Sequence, residues 1–209
     1  MTETESFDAR RKRLWDELVM LHDAWAQYSY LFNESQERIE LLNACARWFF
    51  GTTQRLLMRE VILGVSRLTD PPKTGKHANL VLESLLDDPT IDKYVGLRKD
   101  IDKAIKQIKV DAAPIRHHRD KYIAHLDERT AVEATTNPLP GLKKGLIRQI
   151  IDDMGRVYNM HGGKTRESHA FFELSALGSA QSLVEILEDS ERWAKWKQWN
   201  RPKKEEKSD

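Results

Sequence analysis

The chain has one cysteine, Cys45, so it can close no disulfide within itself and offers no cysteine-rich zinc spacing. Cys45 falls on an apolar helical segment and reads as a small buried residue. No apolar run reaches the roughly 18 residues that a membrane-spanning helix needs. The first stretch, Met1 to Arg13, is charged and lacks the apolar core of a secretion signal, so a cytoplasmic protein with no membrane contact is expected. Charge of one sign is also missing. The formal net charge is +1, and only a local basic patch could attract a polyanion. Strand alternation is absent, as are Asn-Gly and Asp-Gly hairpin turns. Lys73-Thr74-Gly75-Lys76 lacks the leading glycine and the preceding strand of a phosphate loop.

What remains is helical periodicity. Leu14, Leu18, Leu21, Trp25, Tyr28 and Phe32 recur at spacings of four and three, which predicts a helix from about Phe7 to Phe32. Asn33-Glu34-Ser35 interrupts it and can cap the next helix. That second helix should run from Ser35 to Leu68 on Ile39, Leu42, Ala46, Phe49, Thr53, Leu57, Val61, Gly64 and Leu68, antiparallel to the first. Gly64 and Gly51 weaken it, and either can admit a close neighbour. Asp70-Pro71-Pro72 stops it.

A short helix over Asn79–Leu86 is expected next. Asp88-Pro89 restarts the chain, and Tyr94, Leu97, Ile101, Ile105 and Ile108 carry a stripe to about Val110. Pro114 must kink that helix or begin another. Glu128 to Gly141 reads as a loop, Leu142 to Met160 as a helix ended by His161-Gly162-Gly163, and Ser168 to Trp199 as a last helix. The expectation is an all-α bundle of about six helices. It forms a single domain over residues 1–200, with a charged, disordered tail over 201–209.

One stretch stands apart from this scaffold. Ile115-Arg116-His117-His118-Arg119-Asp120-Lys121-Tyr122-Ile123-Ala124-His125-Leu126-Asp127 holds three of the seven histidines, beside two arginines, a lysine and two aspartates. Histidine can take and give a proton near neutral pH. Arginine binds phosphate oxygens through a planar fork. Together they suit phosphodiester chemistry in RNA, where the 2′-hydroxyl is an internal nucleophile and no metal is needed. On a regular helix Arg119 and His125 fall roughly 120° short of two full turns, so a site using both needs a helix end, long side-chain reach or a second chain. His118, Lys121, Tyr122 and His125 would share one face.

Arg119-Asp120-Lys121-Tyr122-Ile123-Ala124-His125 resembles the Arg-x(4–6)-His motif of the HEPN superfamily. The longer phrase Arg-Asp-Lys-x-x-Ala-His-Leu-Asp, with Val61-Ile62-Leu63-Gly64-Val65-Ser66-Arg67-Leu68-Thr69-Asp70, is closer still to the abortive-infection type U HEPN group. The resemblance covers roughly Leu14 to Met160 and implies a small helical bundle that dimerises with its motif helices face to face. It also implies metal-independent RNA cleavage in a phage-defence or toxin–antitoxin system, leaving 2′,3′-cyclic phosphate ends, with no cofactor. Carried onto this chain, His125 is the acid/base, Arg119 binds phosphate and Asp120 positions one of them. Asp120 stands where asparagine is commonest in the group and adds a negative charge beside the phosphate site. Tyr122, Arg116 and His118 are candidate substrate contacts. RNA, a second copy, and an antitoxin or neighbouring defence protein are the implied partners.

Two other readings compete. His117, His118, Asp120 and His125 are metal-ligand types, but His117 and His118 point about 100° apart on a helix. The group also includes modules that have lost activity and bind a nucleotide or a protein instead. Trp193, Trp196 and Trp199, interleaved with Arg192, Lys195 and Lys197, suit docking against a core or a dimer partner better than base stacking.

Overall fold

The computed structural model describes residues 3–124, 141–172 and 179–199. The architecture is all-α. Helix α1 spans Glu3–Phe32 and α2 spans Gln36–Thr69. A two-residue antiparallel ladder, β1 (Lys73–Thr74) and β2 (His77–Ala78), follows. Two 3₁₀ turns, Leu82–Asp87 and Ile91–Lys93, lead into α3 (Leu97–Asp111), which adjoins the short α4 (Ala113–His118). A π-helical turn continues over Arg119–Ala124. Helix α5 spans Lys144–Thr165 and α6 spans Ala180–Trp199. The expected loop over 128–141 lies almost wholly outside the described residues, and the expected tail lies outside them altogether.

The chain divides into two compact units. Unit one comprises Met1–Ala26 and Arg55–Leu174. In it the first part of α1 and the last part of α2 run antiparallel. Leu21 lies against Gly64, where an added Cβ would come within 3.0 Å of the leucine, and Glu17 lies 3.4 Å from Arg67. The α1 stripe is buried as its period requires, Leu14, Leu18 and Leu21 included. Helix α3 packs along α5 through Ile101, Ile105 and Ile108 on one side and Ile147, Ile150, Ile151 and Met154 on the other. Unit two comprises Gln27–Gln54 and Ser175–Asp209. There Gln27 Oε1 accepts from the Ala180 amide at 2.7 Å, satisfying a free donor at the start of α6. Arg38 stacks on the Tyr30 ring at 4.0 Å.

Several expectations fail for local reasons. Ala46 is non-helical (φ −161°, ψ 69°), and this kink shifts the phase of the α2 stripe. Leu42 and Phe50 are buried, Ala46 and Phe49 are exposed, and Cys45 is exposed rather than buried. The segment after Pro72 does form a hairpin. Its two-residue turn is Gly75-Lys76, with Gly75 at positive φ (59°) as such turns favour. Asn79 holds it by donating to Pro71 O and Thr74 Oγ1. In place of the short helix expected over 79–86 there is a 3₁₀ turn at Leu82–Asp87, and Pro89 leads only into a second 3₁₀ turn, Ile91–Lys93, with Gly96 at φ 80° before α3.

His161-Gly162-Gly163 does not end α5. The helix continues to Thr165, where the Arg166 and Ser168 amides both donate to Gly162 O (2.9 and 3.2 Å). Ser168 does not begin a helix either. Residues 168–172 have no regular secondary structure and are pinned to α5 by Asn159, which donates to Ala170 O and accepts from the Ala170 amide (3.0 and 2.8 Å).

Candidate functional site

The charged stretch begins at a break. Ala112 ends α3 and precedes α4, and Pro114 sits in the first turn of α4, where its missing N–H costs nothing. Ile115 is fully buried and fixes α4 to the core. Arg116 ties this helix to two others. Its Nη2 donates to Lys109 O (3.0 Å) near the end of α3, and its Nη1 donates to Thr69 O (3.3 Å) at the end of α2. Both are carbonyls that a helix end leaves without an internal partner, and a cation there also suits the helix dipole. A phosphate would have to compete with these carbonyls for Arg116.

From Arg119 the backbone changes to the wider i→i+5 pattern. Face relations calculated for a regular α-helix therefore do not hold over Arg119–Ala124. Such turns widen a helix locally and recur at functional sites.

Arg119 is the fixed point of the stretch. Its Nη1 donates to both oxygens of Asp70, at 2.7 and 2.8 Å, across 49 positions of sequence. Its Nε donates to Asp120 Oδ1 at 2.8 Å. Burial alone would lower its pKa, but the hydrogen bonds it donates to Asp70 and Asp120 outweigh that and hold the guanidinium above its ordinary value. The arginine is thus a permanent cation set between two carboxylates. The carboxylates differ: Asp70 is 27% exposed and Asp120 56%. Asp120 is the more open of the two to solvent.

Asp70 was legible only as the last residue of the Val61–Asp70 phrase. Its role as the anchor of Arg119 is a contact that sequence spacing does not reveal. His117 is exposed and His118 half-buried. His125 and the side chain of Tyr122 lie outside the described residues. Among the described residues, no group of three His, Cys, Asp or Glu side chains could hold a metal ion.

A second cluster carries no motif in the sequence. His161 and Asp88 are both fully buried, with Nε2 and Oδ2 2.9 Å apart, though outside hydrogen-bond geometry. Arg166 Nη1 is 3.3 Å from the same oxygen, and Asp88 Oδ1 accepts from the Thr90 amide and hydroxyl, both at 2.7 Å. Burial tends to raise the Asp88 pKa, but the Thr90 donors and the nearby cations hold it below its ordinary value. Burial, aided by Arg11 and Arg166, outweighs Asp88 and keeps His161 below its ordinary value. His22, stacked on Phe172 at 4.7 Å, is likewise lowered by burial. Asp88 and His161 set the end of the first 3₁₀ turn against α5. The only hints in the sequence were Asp88 beside Pro89 and His161 beside two glycines.

The HEPN_AbiU2 family, described as AbiU2, matches residues 4–180 of the chain. No curated protein and no solved structure matches it. Among the described residues, no helix is long and apolar enough to cross a membrane.

Proposed function

Since the chain belongs to the HEPN_AbiU2 family of abortive-infection HEPN-type modules, we propose that it is a metal-independent endoribonuclease of a phage-defence or toxin–antitoxin system. The observation that carries this reading is Arg119, fixed at the head of the π-helical turn that leads toward His125, with one firmly held and one displaceable carboxylate. In the proposed reaction a phosphodiester displaces Asp120 and takes the Nε edge of Arg119, while Asp70 keeps the guanidinium in place. His125 removes the 2′-hydroxyl proton. The 2′-oxygen forms a bond to phosphorus as the bond to the 5′-oxygen breaks, and the 5′-oxygen leaves with a proton. The products are a 2′,3′-cyclic phosphate and a 5′-hydroxyl.

A homodimer would bring two copies of His125 together as base and acid. Support for a second copy comes from unit two, where Trp48, Phe49 and Ile186 are 85%, 62% and 65% exposed. RNA is the proposed substrate, and an antitoxin or neighbouring defence protein the proposed restraint.

The alternative is a non-catalytic module that binds a nucleotide or a partner protein. One observation favours it: Arg119 already has both of its carboxylates within hydrogen-bonding distance. The test is cleavage of mixed RNA in excess EDTA by the wild type and by His125→Ala. The ribonuclease reading expects EDTA-resistant cleavage with cyclic phosphate ends and a loss of about 100-fold or more in the variant, the size of a missing acid/base. No cleavage by either protein, with or without added divalent metal, favours the binding module.

A further inference from the structure

The phrase Lys73-Thr74-Gly75-Lys76, which is no phosphate loop, builds most of the hairpin of β1 and β2. All of residues 71–78 are exposed. The hairpin stands on the residue that anchors Arg119. Asp70 accepts twice from Arg119 Nη1, and only Pro71 and Pro72 separate it from Lys73. Three residues of chain keep the Lys73 Cα within about 11 Å of the Asp70 Cα. The link is stiff, because both prolines have a fixed φ. Asn79 clamps the hairpin onto them. Its amide donates to Pro72 O at 2.8 Å, and its Nδ2 donates to Pro71 O at 2.9 Å and to Thr74 Oγ1 at 2.7 Å.

Lys73 and Lys76 are the cations of this hairpin, and among the described residues neither has a carboxylate within ion-pairing distance. The groove between the hairpin and α1 shows the contrast. Lys73 lines it beside Arg10 and Arg13, which pair with Asp87 at 3.1 Å and with Glu17 at 2.5 Å. Glu83, on the same groove, is taken by Lys109.

The charge balance at Arg119 gives these lysines a task. Arg119, Asp70 and Asp120 together carry a net negative charge, so the pairing that fixes the arginine also repels the phosphate it is to bind. Lys73 stands little more than one Debye length away, roughly 8–10 Å at moderate salt, and offsets that charge. Lys76, in the turn, adds a second positive charge. Cations on a fixed exposed backbone hold a nucleic-acid strand by its phosphates, with no need to read its bases.

We propose that the hairpin is a docking strip for the RNA strand, on which Lys73 and Lys76 hold backbone phosphates next to the one that Arg119 takes. The choice of RNA as ligand rests on the ribonuclease reading; the strip itself lies outside the Arg119–His125 motif. The test is anisotropy titration of the full chain with a short single-stranded 2′-O-methyl RNA, which keeps its phosphates but has no 2′-hydroxyl to attack. The wild type should bind it, more weakly as salt rises. Lys73→Gln/Lys76→Gln should weaken binding about fivefold or more at low salt and make the salt slope shallower by about 1.4, at roughly 0.7 per lost phosphate contact. Lys99→Gln/Lys103→Gln removes the same charge from exposed positions on α3 and should change affinity less than about twofold, since it takes away no phosphate contact. With cleavable RNA the hairpin variant should raise KM and leave kcat within about twofold, because it removes binding and no reacting group. No binding by the wild type, wild-type affinity in the hairpin variant, or equal weakening by the two double variants overturns the proposal. Hairpin-dependent binding without cleavage leaves the strip standing and overturns the ribonuclease reading. Cleavage with a KM indifferent to the hairpin does the reverse.

Discussion

Arg119 carries the functional account at the scale of single residues, and its two carboxylates do different work. Asp70 accepts twice from one nitrogen and is the more enclosed, so it positions the arginine. Asp120 adds a negative charge at the edge that a phosphate must approach. Asp120→Asn should therefore raise cleavage at limiting RNA severalfold, and the gain should shrink as salt is added, because the repulsion it removes is screened. Initial rates at two ionic strengths measure this. Arg116 belongs to the scaffold. Arg116→Ala should lower unfolding stability by about 1.5–3 kcal/mol, the usual worth of hydrogen bonds from a charged donor, as read by denaturant titration. Of these residues, sequence alone singled out Arg119 and Asp120 as a motif. It could not pair Arg119 with Asp70, because nothing in a one-dimensional spacing links the end of α2 to the turn after α4.

The elements were legible where a period or a proline marked them. The Leu14–Phe32 stripe, the stop at Asp70-Pro71-Pro72 and the break at Pro114 all follow from 3.6-residue periodicity or from a missing N–H. The kink at Ala46 carries no glycine or proline, so the periodic reading ran through it and placed Cys45 inside. The π-helical turn was equally invisible, since its residues form ordinary helices elsewhere. Gly162 and Gly163 misled in the opposite direction. They look like a helix stop, yet they serve close packing of α5 against Arg11, Ser168 and His169. Gly162→Ala should therefore cost about 1–3 kcal/mol, as overpacking does, despite alanine's better helix propensity. Denaturant midpoints of the two proteins decide it. A stabilised variant would mean that the glycine is not needed for the approach of Arg11.

For the whole molecule, the buried histidines set how stability responds to pH. Burial holds His22 and His161 below the ordinary value of 6.5, so the unfolded chain binds protons that the folded chain refuses. Their contribution is complete above about pH 6.5 and is lost as pH falls below it. The lowered carboxylate of Asp88 adds a further loss at lower pH, once the folded group is protonated. Thermal melts at constant ionic strength should show Tm falling between pH 7.5 and 5.5, and His161→Asn should flatten that fall.

One comparison tests the proposed role of Arg119 in RNA cleavage most directly: single-turnover cleavage in EDTA by the wild type, Arg119→Ala and Asp120→Asn, with thermal melts confirming that all three fold. The account predicts a loss of about 100-fold or more in Arg119→Ala, the scale of removing a transition-state charge contact, with Asp120→Asn at or above the wild-type rate. Wild-type cleavage by Arg119→Ala would contradict it.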